Sequence, residues 1–400
     1  MNKVNLIEVM ALVNLPASCL NRDEAQMPKE CNFGGVDRAL VSSQAQKFAV
    51  RHSENFKPLC DEVNASIRTA RVFEYIMPRL NNVPSEFEPI IIALCDSLGK
   101  ANAKSKVVWD EKSDTYDFSG IDKGKKLPKA GDRDGQIMVF SPSQIDFLVE
   151  TIQRFVDEVE GDIVKFNAFT NASIFERMKG KKIEHITLDT ALFGSMTASV
   201  FSASVPASMH VAQMFSTDAL VRESDFYIAS DDFVLANPEK AQGAANMGEI
   251  GYNCPCMYRY ASLDLDILRE NLKNVENRDE VIKKIVPELI RTFAMTLPKG
   301  KQNTNAAYIL PDMICVNLKE KKVPCNYANA FAVPARATSG VGVTEKSIEK
   351  FVAEVDMIDK FYDVDVVERF YMNCRETVAP KNCTSVENIK DIVKGIQAHL

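Results

Sequence analysis

Histidine is scarce in this chain, with four in 400 residues, and tryptophan occurs once. His185 and His210 lie in apolar, strand-like surroundings without a Ser or Cys in a nucleophile setting, so a catalytic triad is not expected. There is no Walker loop or dinucleotide fingerprint, because Gly34-Gly35 and Gly340-x-Gly342 lack the further glycines or the lysine that cradle a phosphate. Long apolar runs are missing too: stretches such as Pro89 to Cys95 are far too short to cross a bilayer. Asn5, Glu8 and Asn14 interrupt the apolar start and no small-residue cleavage site follows, so a cytoplasmic protein without membrane contact is expected. The ten cysteines show no disulfide-framework spacing, which suits a reducing compartment. Cys254-Pro255-Cys256 has a single spacer instead of the usual zinc spacing and reads as a strand edge, so no metal and no cofactor are expected. An overall basic excess is also lacking, the formal charge being −7. Nucleic-acid binding survives that, since counterion release needs only a local basic track.

What is present alternates between extended and helical patterning. Residues 3 to 13 read as a central strand, ended by Pro16. Ser43-x-x-Gln46 reads as a capping box opening a helix. Helical periodicity is expected over Ser66 to Leu80 and Pro89 to Leu98, and Ser141-Pro142 starts another helix. Residues 100 to 135 form a lysine-rich loop. Extended segments are expected at Ile186 to Phe193, His210 to Phe215, Met257 to Asp264 and Met313 to Leu318. Asp279 to Leu297 and Lys346 to Phe361 read as helices, and Thr384-x-x-Glu387 as the cap of a last one. Strands with interleaved helices and one helix-rich insertion indicate an α+β fold.

Three segments carry chemistry suited to a ribose-phosphate strand. In the first, Arg22, Lys29, Arg38, Lys47 and Arg51 flank Asn21, Gly34, Gly35, Ser42, Ser43 and Gln44, and a glycine turn leading into a helix start would aim N–H groups at an anion. The second, Pro298 to Asn305, sets Lys299, Lys301 and Gln302 among amides and hydroxyls, which suit phosphate and 2′-hydroxyl contacts without base readout. In the third, Met196 and Ile228 are apolar residues beside polar, loop-prone stretches, where an inserted side chain could part stacked bases.

In order, these segments resemble the CasC family, the backbone subunit of type I-E CRISPR surveillance complexes (Cascade). SCLNRDEAQMPKECNFGGVDRALVSSQAQKFAVR (Ser18 to Arg51) is similar to its opening L-N-R-D, F-G-G and S-S-Q-x-x-K-R-A pattern. DTALFGSM (Asp189 to Met196), DFYIASDD (Asp225 to Asp232), CMYRYASLDLDILRENL (Cys256 to Leu272), PKGKQNTNAAYILPDMICV (Pro298 to Val316) and NYANAFAVPARA (Asn326 to Ala337) resemble later motifs. The resemblance implies an RRM-like (ferredoxin-like) palm from residues 1–54, 181–217 and 257–400, with a helical finger insertion at 55–180 and a protruding thumb at 218–256. It implies a non-enzymatic subunit binding CRISPR guide RNA, its copies lying side by side in a helical filament with other Cascade subunits and presenting the guide to target DNA. Carried over by position, the resemblance puts Lys29, Lys47 and Arg51 on basic positions near the RNA backbone, Gln44 on the S-S-Q motif, Lys301 on the G-x-K-Q lysine and Met196 on the wedge methionine.

Departures are visible. Leu40 and Phe48 stand where the pattern has arginines, Ile228 where it has threonine, and Gly248 to Tyr252 replace a G-x-Q-E-F stretch. Lys179, Lys181 and Lys182 could restore charge on the finger side. The alternative is a metal-dependent target-RNA ribonuclease on the same kind of palm, with Asp23, Asp231 or Asp264 as its carboxylates. A guide-RNA scaffold in a transposon-associated or nuclease-fused system fits the same residues.

Overall fold

The computed structural model describes residues 3–61, 63–99, 108–110, 115–118, 137–178, 183, 185–196, 204–237, 246–362, 364–375 and 377–400. Apart from two short strands and Phe118, the lysine-rich loop 100–135 lies outside them, as do Lys179, Lys181 and Lys182.

The chain begins with β1 (Leu6–Asn14), the hairpin β2 (Glu30–Phe33) and β3 (Val36–Val41), and α1 (Ser43–Arg51). A second stretch holds β4 (Ile67–Thr69), α2 (Phe73–Ile76), α3 (Glu88–Asp96), β5 (Val108–Asp110), β6 (Thr115–Asp117), β7 (Met138–Phe140), α4 (Pro142–Glu158), α5 (Ile163–Phe166), α6 (Asn171–Met178) and α7 (Leu188–Phe193). There follow β8 (Met209–Val211), β9 (Met214–Ser216), β10 (Glu223–Ala229), α8 (Asp232–Ala236), β11 (Asn246–Tyr252) and β12 (Cys256–Asp264). The last part contains α9 (Leu265–Asn271), α10 (Arg278–Met295), α11 (Gln302–Asn305), β13 (Met313–Lys319), α12 (Val343–Phe361), β14 (Val366–Asn373), β15 (Thr384–Ser385) and α13 (Ile389–His399). Two compact units result, Met1–Leu59 with Ser208–Leu400, and Cys60–Ala207.

The first unit is built on a mixed sheet in the order β15-β14-β13-β1-β12-β9-β3-β2, with β8 also on β12. β1 runs antiparallel to both β12 and β13, so it is central, as its largely apolar run, broken within by Glu8, predicts. Met10 and Leu12 share one core with Tyr258, Met313 and the α12 residues Ile348, Phe351 and Val355. Ile7, Val9 and Ala11 alternate with them and are equally buried, which requires cover on both faces of the sheet; α10 also packs on β1.

Within that core lies a charged network. Lys319 Nζ sits 2.7 Å from Glu8 Oε2 with both side chains fully buried, and Tyr260 donates its hydroxyl to Glu8 at 2.7 Å. Arg369 pairs with Asp359 at 2.6 and 3.0 Å and reaches Asn317 Oδ1 at 2.9 Å. Buried charges persist only where partners and hydrogen bonds offset lost hydration, and here each has several.

The second unit packs α3, α4 and α6 around aromatics, with Phe87 stacked on Phe166 at 4.1 Å and Phe155 on Phe169 at 3.8 Å. Ser141 and Gln144 form the capping box of α4, with Pro142 in its first turn. Two expectations fail here. Residues 66–80 form β4, α2 and a 3-10 turn instead of one helix, because Ile67 to Thr69 finds a strand partner in β7. Leu188–Phe193 is a helix, not a strand, and it belongs with this unit: Leu188 N donates to Asn64 O at 3.0 Å. Caps also shift. Ser42, not Ser43, caps α1, and Asn388, not Thr384, caps α13.

Candidate nucleic-acid interface

The loop after β1 is held at both ends by backbone pairing. Ser18 pairs with Asn253 and Arg22 with Pro28. Between them a turn is closed by Asp23, whose carboxylate accepts from Met27 N at 2.9 Å, with Gln26 in the left-handed region at φ 66°. Arg22 and Asp23 are exposed, Lys29 half-buried. Asn21 links this loop to the next helix: its side-chain oxygen accepts from Ser42 N at 3.0 Å, while its carbonyl accepts from Lys29 N at 2.9 Å.

Ser42 caps α1 by accepting from Ala45 N at 3.3 Å. Ala49, Val50 and Gln46 point inward, which turns Ser43, Gln44, Lys47, Phe48 and Arg51 toward the surface to different degrees. Gln46 fixes the helix by donating to Ala212 O at 2.9 Å and accepting from Arg259 Nε at 3.2 Å. Arg259 is fully buried, lies over the Phe293 ring at 4.4 Å and donates to Thr296 O at 2.9 Å. Burial pulls its guanidinium down to about 9. One side chain therefore ties α1 to the end of α10, from which the second basic segment leaves. Its position in the M-Y-R-Y-A stretch marked it as part of the resemblance, but nothing in the sequence marked it as the link.

That second segment lies against the first. A Cβ on Gly300 would collide with Leu20 O and stand 2.7 Å from Cys19 O, so only glycine permits the approach. Burial raises the Cys19 thiol, while the charges of Arg22 and Lys301 act to lower it, which places both cations near it. The Glu54 carboxyl, held low chiefly by its hydrogen bond with Lys57, also senses Lys299. Residues 299–301 thus extend from the Asn21 loop to the far end of α1. Lys301 itself is in the left-handed region at φ 53°.

Three expected contacts are corrected. Arg38 is fully buried and donates to Thr217 O at 2.9 Å, Ser216 O at 3.0 Å and Phe331 O at 2.7 Å. Its charge is committed to carbonyl dipoles, so it braces the sheet edge and does not face a phosphate. Gln302 is buried and donates to Ala307 O at 3.2 Å, closing the short turn of α11. Gly34 and Gly35, both at positive φ, close the β2–β3 hairpin and do not open α1; a Cβ on Gly34 would collide with Ala332 O.

Met196 belongs to the second unit. Asp189 accepts from Ser66 N at 2.8 Å, Ser66 Oγ at 2.6 Å and Arg68 Nη2 at 3.1 Å, anchoring α7. Gly194 ends that helix at φ 77°, a backbone that favours glycine, close against Val205 and Ala207. Two residues on, Met196 is 96% exposed. The D-x-A-L-x-G-x-M pattern thus reads physically as an anchor, a stop and a presented apolar tip.

Ile228 lies on the β10–β11 ribbon directly opposite Met247, and Phe226 is on the same face; all three are more than half exposed. Tyr227 lies across Gly248 on the opposite face. Arg222 ties the ribbon base to Glu30 at 2.6 Å and to Asp37 at 3.4 Å.

The carboxylates of the ribonuclease alternative are engaged locally. Asp23 closes its turn, Asp231 caps α8 by accepting from Phe233 N at 2.8 Å, and Asp264 caps α9 and pairs with Lys322 at 3.1 Å. Among the described residues no three His, Cys, Asp or Glu side chains stand together as a metal-binding group, and no helix is long and apolar enough to cross a membrane.

No curated protein matches the chain. Solved chains share its fold, two of them from CRISPR structures. One, from a structure described as a CRISPR RNA-guided surveillance complex, pre-nicking, has a TM-score of 0.70 at 23% identity over 99% of this chain and 100% of that one. Another, described as a CRISPR RNA-guided surveillance complex, has a TM-score of 0.58 at 19% identity, covering 98% of each. The family model for CT1975-like proteins matches residues 7–395, nearly the whole length, and the chain belongs to that family.

Proposed function

We propose that the chain is a non-catalytic, guide-RNA-binding backbone subunit of a type I-E CRISPR surveillance complex, its palm RRM-like and its copies polymerised along the RNA. The observation that carries the reading is the convergence of two distant basic segments: Gly300 seats residues 299–301 on Cys19 and Leu20, setting Lys299 and Lys301 beside the Arg22 loop and α1. Such a track of cations, amides and helix-start N–H groups attracts phosphates without reading bases. Membership of the CT1975-like family and the fold shared with chains of CRISPR RNA-guided surveillance complexes support it.

Two exposed apolar tips complete the reading. Met196 and Ile228 are the wedges that part stacked bases, and the apolar face of the β10–β11 ribbon covers the RNA toward the next copy. A two-stranded ribbon is marginal alone, so a partner on that face would also stabilise it.

Binding of labelled single-stranded RNA at several salt concentrations tests this. Lys47→Glu with Lys301→Glu should weaken binding for every guide sequence and flatten the slope of log K against log salt by about 0.7 for each phosphate no longer neutralised. Wild-type affinity and slope in that double variant would overturn the assignment.

A further inference from the structure

Phe48 is a large aromatic side chain left 61% exposed on α1, where the resembled pattern carries an arginine. Its neighbours do not treat it as core: Ala49 and Val50 turn inward while Gln44, one helical turn earlier, is exposed. One turn later the ring of His52 stacks on it, with centroids 4.0 Å apart and planes at 27°. His52 is itself tied down, its Nδ1 lying 2.8 Å from Phe48 O. The result is a two-ring surface in the stripe of residues 44, 48 and 52. Lys47 and Arg51 form the adjacent stripe of the same helix, and Lys299 lies near Glu54 just beyond it.

An aromatic face within one helical turn of cations is the arrangement that takes an unpaired nucleobase, because the ring receives the base while the cations hold the phosphates on either side. An apolar protein segment is a poorer occupant. A single ring pair rimmed by Gln44, Lys47 and Arg51 offers it little apolar area, and burying it would strip water from those polar groups.

Resting on the reading of α1 as part of an RNA-binding face, we propose that Phe48, braced by His52, is a stacking platform for an unpaired base of the bound RNA strand. The departure from arginine then exchanges a phosphate contact for a stacking contact, which is tolerant of base identity and insensitive to salt.

The test compares binding of the full chain to single-stranded RNA and to an abasic oligomer of equal length, with Lys301→Glu as a reference variant. The unaltered chain should prefer the base-bearing strand by about 5- to 150-fold, the range expected of one stacked base. Phe48→Ala should reduce that preference and leave the salt slope unchanged, full retention of the preference overturning the platform, whereas Lys301→Glu should weaken both strands alike and flatten the slope. Phe48→Trp should keep the affinity, with its emission quenched by RNA and not by the abasic strand. Equal binding of both strands by the unaltered chain, with Lys301→Glu still weakening them, overturns the platform alone. Failure of the unaltered chain to bind either strand overturns the platform and the RNA-binding reading together.

Discussion

β10 and β12, the strands on either side of β11 in the chain, have opposite fates. β12 buries eight of its nine residues, including a charged Arg259, whereas every residue of β10 is exposed although it carries Phe226, Tyr227 and Ile228. Apolar content alone does not separate them. Their pairing does: β12 has β1 on one side and β8 and β9 on the other, and among the described residues β10 pairs with β11 alone. Ring and aliphatic side chains on a ribbon of two strands contribute little to folding, whereas those of the sheet are packed on both sides.

The comparison can be broken most forcefully in the sheet. Lys319→Ala leaves Glu8 buried without its cation, and a loss of about 3–5 kcal/mol is expected, read as a lowered urea midpoint. A loss under about 1 kcal/mol would mean that the network is not what stabilises the sheet interior.

A smaller, pH-dependent effect is expected at Asp218, between the sheet and the ribbon. Burial pushes its carboxyl up to about 6 from the ordinary 3.8, against a hydrogen bond from Cys256 N at 3.1 Å. The folded protein therefore takes up this proton at a higher pH than the unfolded chain. Acidification from about pH 7 toward about pH 4 adds stability from this one group, by at most about 3 kcal/mol. Asp218→Asn should lose that increment, so the gap in stability between variant and parent should change across this window. Parallel curves would assign the pH dependence elsewhere.

The smallest effect on stability is expected on the ribbon. Replacing Phe226, Ile228 and Met247 together by serine should shift folding by no more than about 0.5 kcal/mol per site, because these side chains are already in water in the folded chain. Assembly of successive copies on one RNA, followed by native mass measurement, should nevertheless fall sharply. Intact assembly would show that the apolar face has another use.

Much of the architecture is legible locally. The long amphipathic patterns of α4, α10 and α12 and the apolar runs of β1, β12 and β13 announce themselves, since burial on one or both faces demands that patterning. The basic loops are also legible as segments with exposed backbone. Short apolar runs are not: Ile186 to Phe193 reads as a strand, yet Leu188–Phe193 is a helix, anchored by Asp189 through Ser66 and Arg68, more than a hundred positions away. Similarly, Arg38 looks like its basic neighbours until carbonyls from two distant segments surround it.

By itself, then, the sequence determined the types of most long elements and the polar character of the two basic segments, because each follows from side-chain chemistry and spacing along a few turns, whereas the exposure of Met196 and Ile228 came from the fold. Only the tertiary structure decided which cations meet, which are buried, and that Phe48 and His52 form an exposed pair beside them. Those outcomes depend on approaches such as Gly300 to Leu20 and Arg259 to Gln46, which join residues hundreds of positions apart and leave no periodic trace along the chain.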